Sequence, residues 1–491
     1  MEFYKAGPTQ SGSALAAGAH EKSLTTGWAK PNAVAEVGMS ISPERVSIAE
    51  ALSAAQETRC LELGLRVLTR TAEVFRRLFG DRQALLVADT NTFAAAGKAV
   101  QEAFVRAGHA CREPFVFTDP KLYAEHKYVA ALEEALKGHQ AIPVAVGSGT
   151  INDLTKLASH RAGRPYLVVA TAASMDGYTA FGASITYQGS KQTFSCPAPA
   201  AVVADLDVIC AAPAGMNASG YADLLAKVPA GADWLVAGAL GLEAVDRTAW
   251  NIVQGGLREA VANPGGIPER NVEAVRQLTE GLILSGFAMQ WARSSRVASG
   301  AEHQFSHLWD MQHHVHDGQA PSHGFKVGIA TLAVAGLYEY LLARNLENLD
   351  VASCCARWPS ETDRERTVRS LFSQEDLRTV ALQESQAKWV EPAELGQQLE
   401  TLKGIWPELR VRLRQQLSPR LELKAMLQAA GAPVEPEEIG ISRARLRASF
   451  VQAYFLRRRF TVLDLAERCG LLEPALDSLF GPGGPWPVGK P

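Results

Sequence analysis

Four short apolar runs punctuate the first half of the chain, at residues 84–88, 143–146, 166–170 and 201–204. Each is strand length, and helix-like stretches separate the first three. Fully apolar strands alternating with helices predict a parallel sheet covered on both faces. Each run ends at a residue able to meet a ligand: Asp89, Gly147, Thr171 and Asp205. In open α/β sheets, ligands bind beyond those carboxyl ends. Upstream, residues 48–78 have helical spacing, with Leu61, Leu65, Leu68, Ala72 and Phe75 as candidate core positions. From about Leu240 strand signals stop. Residues 270–300, 325–345, 377–430 and 442–480 read as helices. The expected class is α/β plus all-α: a flexible extension over 1–45, a Rossmann-like parallel-sheet domain over 46–230 and a helical domain over 231–491.

Composition narrows the classes. The chain has 491 residues, enough for two domains, and 47% of them are hydrophobic. A formal net charge of -3 provides no global basic field for nucleic acid or anionic lipid. The seven cysteines are scattered, with no CxxC pair, and read as reduced thiols. The polar N-terminus lacks the apolar segment of a secretory signal. The most apolar later stretch, 329–342, is interrupted by Glu339 and reads as too short to span a bilayer. A cytoplasmic protein without a membrane span or nucleic-acid partner is expected.

Three segments carry candidate chemistry. Gly147-Ser148-Gly149-Thr150-Ile151-Asn152-Asp153 follows a strand and opens a helix. Small residues let backbone amides approach phosphate oxygens, and a helix N-terminus favours their charge. A tight strand–helix turn explains the same residues. The next loop, Thr171-Ala172-Ala173-Ser174-Met175-Asp176-Gly177, adds two hydroxyls and a carboxylate beside it. Asp89 can accept hydrogen bonds from a ribose, or cap a helix. Six of the eleven histidines lie between 303 and 323. His303 and His307 share a helical face, and His323 precedes the next helix. Two imidazoles and a carboxylate suit a catalytic divalent metal. Spacing alone leaves the choice of histidines open. Asp223 taken alone reads as a capping carboxylate, and His313, His314 and His316 read as a mobile polar loop.

Together these motifs resemble the glycerol-1-phosphate dehydrogenases. That branch shares a superfamily with glycerol dehydrogenase, iron-containing alcohol dehydrogenases and 3-dehydroquinate synthase. The match includes Val87-Ala88-Asp89-Thr90-Asn91-Thr92, residues 147–153 and 171–177, and Gly220-Tyr221-Ala222-Asp223-Leu224-Leu225-Ala226-Lys227 with Asp233-Trp234 behind it. It continues through Ser299-Gly300-Ala301-Glu302-His303-Gln304-Phe305-Ser306-His307 and His323-Gly324, and covers about 80–475. The 458–464 segment looks like the C-terminal region of the bacterial branch.

The resemblance implies a dehydroquinate synthase-like fold with the active site in the cleft between its domains. It implies that Gly149, Thr150, Ile151, Asn152, Asp153, Thr171 and Ser174 contact NAD(P), and Asp89 the adenosine ribose. Asp176 and His307 are implied at the substrate and in catalysis. Asp223, His303 and His323 are implied as metal ligands, with Asp223 also facing substrate. The metal is expected to be zinc, with nickel or iron as alternatives. The implied reaction is reduction of dihydroxyacetone phosphate to sn-glycerol 1-phosphate, in a homo-oligomer. Lys191, Lys227, Arg293 and Arg296 are candidates for the phosphate. The family commonly has serine where this chain has Ala180. The competing readings are a polyol dehydrogenase on an unphosphorylated substrate, a non-catalytic nucleotide-binding relative and a 3-dehydroquinate synthase.

Overall fold

The computed structural model describes residues 43–187 and 190–489. The extension expected over 1–45 therefore lies almost wholly outside the described residues. The expected apolar runs form β2 (Ala84–Asp89), β4 (Ile142–Gly147), β5 (Leu167–Ala170) and β8 (Ala201–Asp205). With β1 (Cys60–Gly64) and β3 (Phe115–Phe117) they make a six-stranded sheet in the order β1-β8-β5-β4-β2-β3. Every pairing in it is parallel. Burial on both faces is why these strands read as unbroken apolar runs. A separate antiparallel hairpin joins β6 (Ala183–Tyr187) to β7 (Ser190–Phe194).

The helix expected over 48–78 is a correction. Helix Ile48–Ala54 stops, β1 follows, and a new helix runs over Thr71–Phe79. Leu61 lies in an edge strand paired with Val202, and Leu65 is exposed. Arg66 adopts a left-handed conformation that turns the chain. The helical spacing of Leu61, Leu65 and Leu68 is therefore coincidental.

Strand order reverses between β2 and β4, since the chain leaves β2 outward to β3 and then returns to fill the other side. Such a reversal opens a crevice at the carboxyl edge. Helix α1 (Gly149–Arg161) starts there, directly after β4. No strand occurs after β8 among the described residues. The elements that build the site are α2 (Ala214–Leu225), α3 (Lys227–Ala239), α4 (Val272–Ala292), α5 (Ala301–Met311), α6 (His323–Leu342) and α7 (Arg443–Tyr454). Helix α6 packs on α2 and α5, and α5 on α7. At 20 residues α6 is long and apolar enough to cross a membrane, longer than the 329–342 stretch suggested, but most of it is buried within this chain. All seven cysteines are unpaired.

Candidate functional site

The phosphate-cradle segment turns sharply at the end of β4. A Cβ on Gly147 would fall 2.5 Å from that of Ile151, so the turn requires glycine. Ser148 precedes α1 without making a side-chain cap, which leaves first-turn amides available to an anion. The side chains of Ile151 and Asn152 are buried. Asn152 accepts from the Tyr166 hydroxyl and donates to Gly177 O. Asp153 accepts from Ser184 N and from Asn152 Nδ2. Gly149 and Thr150 are half-buried, whereas Thr171 is buried with its amide on Gly147 O. Asp89 ends β2 as a helix cap: its Oδ1 accepts from the amides of Asn91 and Thr92. Its other oxygen accepts no hydrogen bond among the described residues. Asp205 is consumed by the turn after β1, taking the amides of Arg66 and Leu68.

The loop 171–182 is fastened from below. Buried Lys156 donates to the carbonyls of Gly177, Ala180 and Gly182. Ala180 is buried and offers the site only backbone atoms. From α4, Ser285 Oγ donates to Asp176 Oδ2 at 2.8 Å. Two glycines allow close approaches here, Gly220 bringing α2 against this loop and Gly324 bringing α6 against α2. A Cβ on Gly220 would lie 1.9 Å from Ala173 O, and one on Gly324 would lie 1.8 Å from Ser219 O. Glycine at both positions lets α2 and α6 approach closely enough for Asp223 and His323 to meet.

Asp223, His303 and His323 each present a ligand atom, and the three atoms lie within 4.8 Å of one another. Two imidazoles and a carboxylate at that separation suit one divalent cation. His303 is oriented by its neighbour, with Nδ1 2.8 Å from Glu302 Oε1 and Nε2 3.6 Å from Asp223 Oδ1. A carboxylate holding the distal nitrogen fixes both the tautomer and the ring plane. Burial pushes His323 down to about 3, only partly offset by Asp223, so its ring is neutral, the ligating form. The His307 ring centroid lies 6.5 Å from that of His303, compared with 5.3 Å for His323. His307 is outside the cluster of three. Burial, then Arg457 and Lys191, hold it well below the usual histidine range.

Lys227 organises the carboxylates. Its Nζ lies 2.7 Å from Asp223 Oδ1 and 2.8 Å from Asp176 Oδ2, fully buried. Burial alone would raise the Asp223 carboxyl. The Lys227 ammonium and the two histidines reverse this and hold it well below the usual range. Burial likewise opposes the Lys227 charge, and the two carboxylates more than restore it. Asp176 N donates to Asp223 Oδ2 at 3.2 Å.

Several of these roles were not evident from the sequence. Glu302 and Asp233 form a buried carboxylate pair beside Gly300, where a Cβ would lie 2.4 Å from Asp233 Oδ2. Burial and then Glu302 push Asp233 up to about 7. Asp233 accepts from Tyr338, Ala301 N and Val462 N, tying α3 to α5, α6 and the C-terminal segment. The loop holding His313, His314 and His316 is a further correction, because it is anchored rather than free. His314 Nε2 meets Ile439 O at 2.6 Å and its Nδ1 meets Arg445 at 2.8 Å. Gly440 leaves room for His316 against it.

The chain is similar to known proteins in sequence and in fold. The family model for iron-containing alcohol dehydrogenases matches residues 62–213. The glycerol-1-phosphate dehydrogenase [NAD(P)+] of Halalkalibacterium halodurans is 35% identical over 292 residues, covering 58% of this chain and 72% of that protein. The Pyrococcus furiosus protein of the same name is 34% identical, covering 56% and 77%. Among solved structures, a probable glycerol dehydrogenase from Sinorhizobium meliloti aligns with TM-score 0.54 at 17% identity, over 86% of this chain and 98% of that one. That likeness concerns the fold.

Proposed function

The chain belongs to the glycerol-1-phosphate dehydrogenase family, and from that premise we propose that it reduces dihydroxyacetone phosphate to sn-glycerol 1-phosphate with NAD(P)H, using a divalent metal. The observation that carries the reading is the convergence of Asp223, His303 and His323 beside Asp176 and Lys227. In this reading residues 46–230 hold the dinucleotide and 231–491 supply both histidine ligands. Two imidazoles and one carboxylate favour zinc, with nickel or iron as competing ions.

When bound, the dinucleotide supplies the hydride and the metal a Lewis acid for the ketone oxygen. The chain's own residues do the rest. Lys227 and the Asp176 amide fix the Asp223 carboxylate in its ionised, ligating state. Ser285 and Lys227 both hold Asp176 by Oδ2, which leaves Oδ1 for a substrate hydroxyl. His307 presents a neutral ring beside the cluster. The amides opening α1, with Thr171 and Ser174 opposite, take the pyrophosphate.

The direct test assays purified, metal-reconstituted protein for NADH and NADPH oxidation with dihydroxyacetone phosphate, followed by chiral analysis of the product. We expect sn-glycerol 1-phosphate. Absence of turnover, or formation of the opposite enantiomer, overturns the reading.

Asp89 provides a second test, because capping and ribose binding are separable. A carboxylate at the end of β2 favours a free 2′-hydroxyl and repels a 2′-phosphate, so NADH is the expected partner. Asp89→Gly should raise the NADPH-to-NADH ratio of kcat/KM. Exchanging an aspartate cap for glycine costs only a few tenths of a kcal/mol, so stability should barely change. An unchanged cofactor ratio would leave Asp89 a cap and nothing more.

A further inference from the structure

Two lysines meet at Asp310, one helical turn from His307, and Arg457 lies in the segment after α7; none belongs to the metal cluster. Lys191, on β7, has Nζ 3.2 Å from Asp310 Oδ2. Lys326 lies on α6 one turn beyond His323, with its side chain only 4% exposed, and donates to Asp310 Oδ1. Asp310 lies on α5 one turn beyond His307. Burial would raise its carboxyl, but Lys191 and Lys326 hold it well below the usual range. Arg457 follows α7. Its two neighbours are committed elsewhere: Arg458 binds Glu384, and Arg459 donates to Ser295 and Ser299. Arg457 makes no hydrogen bond or ion pair among the described residues. It is open to solvent, shares the field of Glu384 with Arg458, and with Lys191 acts on His307.

The other sequence candidates for the phosphate are occupied. Lys227 is locked between two carboxylates. Arg293 faces Glu57 and the Phe181 ring. Arg296 is buried against Glu243 and the carbonyls of Asp233 and Phe460. Lys191, Lys326, Arg457 and Arg458 against the carboxylates of Asp310 and Glu384 leave this group of side chains with a net positive charge. A phosphate monoester carries about −1.5 to −2 at neutral pH. In dihydroxyacetone phosphate one methylene and one ester oxygen separate the carbonyl from phosphorus, so the phosphate must adjoin the metal ligands. Lys326 and Asp310 satisfy this, since Lys326 lies one turn beyond His323 on α6, Asp310 one turn beyond His307 on α5, and Lys191 joins them through Asp310.

We infer that Lys191, Lys326 and Arg457 form the phosphate subsite, with Asp310 setting the two lysines in place. The inference rests on the substrate reading above. Two lysines sharing a carboxylate could also be a purely structural ion cluster, and the test separates the two.

Wild type, Arg457→Ala, Arg457→Lys and Lys191→Ala are compared for kcat/KM with dihydroxyacetone phosphate and with unphosphorylated dihydroxyacetone. Inhibition by inorganic phosphate and metal content are measured in parallel. Arg457 and Lys191 carry the test because they are solvent-accessible, whereas removing buried Lys326 would strand Asp310. A lost charge-assisted hydrogen bond corresponds to about 10- to 100-fold, so each alanine variant should lower the phosphorylated-to-unphosphorylated ratio by that factor. KM should rise more than kcat falls, phosphate inhibition should weaken in step, and Arg457→Lys should recover part of the loss. If wild type strongly prefers the phosphorylated ketone and both alanine variants keep that preference, the subsite is wrong. If wild type shows no preference, the substrate reading fails first.

Discussion

His303→Ala should yield a folded protein with neither bound metal nor dehydrogenase activity. His303 is held by Glu302 at Nδ1, with Asp223 facing Nε2. Without the ring, Asp223 and His323 remain as two ligands, and Asp223 already has an ammonium 2.7 Å away. Lys227 then satisfies the carboxylate by itself and nothing recruits a cation. A three-ligand site that loses one arm holds metal poorly. Asp223→Ala and His323→Ala should behave alike, although Asp223→Ala also strands buried Lys227 beside Asp176 and should cost stability as well. The measurement is elemental analysis beside steady-state kinetics, with a thermal melt to check folding. Stoichiometric metal and normal turnover in His303→Ala would remove it from the ligand set.

The fold was legible where burial is symmetric. β2, β4, β5 and β8 are covered on both faces, so every position before the terminal Asp89 and Asp205 is apolar and the run is visible in the sequence alone. β1 and β3 escaped because they are edge strands. Cys60-Leu61-Glu62-Leu63-Gly64 is half-buried and its leucines imitate a helical stripe, and β3 is three residues long. The site was legible to the extent that each residue carries its own chemistry. Histidines and aspartates in short motifs stand out as candidates, but it was the family resemblance that singled out Asp223, His303 and His323 among them. Lys227, Glu302, Ser285, Asp310 and Lys326 do not stand out, because their meaning depends on partners brought close by folding. Ser285 and Asp176 are 109 residues apart, and Lys326 meets Asp310 only after α6 folds back on α5. His314 is the converse case: a histidine in a histidine-rich stretch whose partners, Ile439 and Arg445, lie more than a hundred residues away.

His307→Ala should keep the metal and lose turnover. His307 lies one helical turn beyond His303 on α5, with its ring centroid 6.5 Å from that of His303 and outside the cluster of three. No ligand atom of the metal set is lost with it, so metal content should match wild type. Catalysis should suffer because His307 lies on α5 between His303, a ligand in this reading, and Asp310, which pairs with Lys191. A general acid contributes about 10²–10⁴-fold. Burial, Arg457 and Lys191 keep His307 unprotonated at neutral pH, and a bound cation would press in the same direction. A neutral imidazole still donates its N–H to a developing oxyanion, but it is a poor source of the proton itself. The loss in kcat should therefore fall near the lower end of that range, about 10²-fold. His307→Gln, which retains an N–H donor, should recover part of it. Paired metal analysis and kinetics on His303→Ala and His307→Ala decide the assignment. Metal lost with His307 and kept without His303 would exchange the two roles.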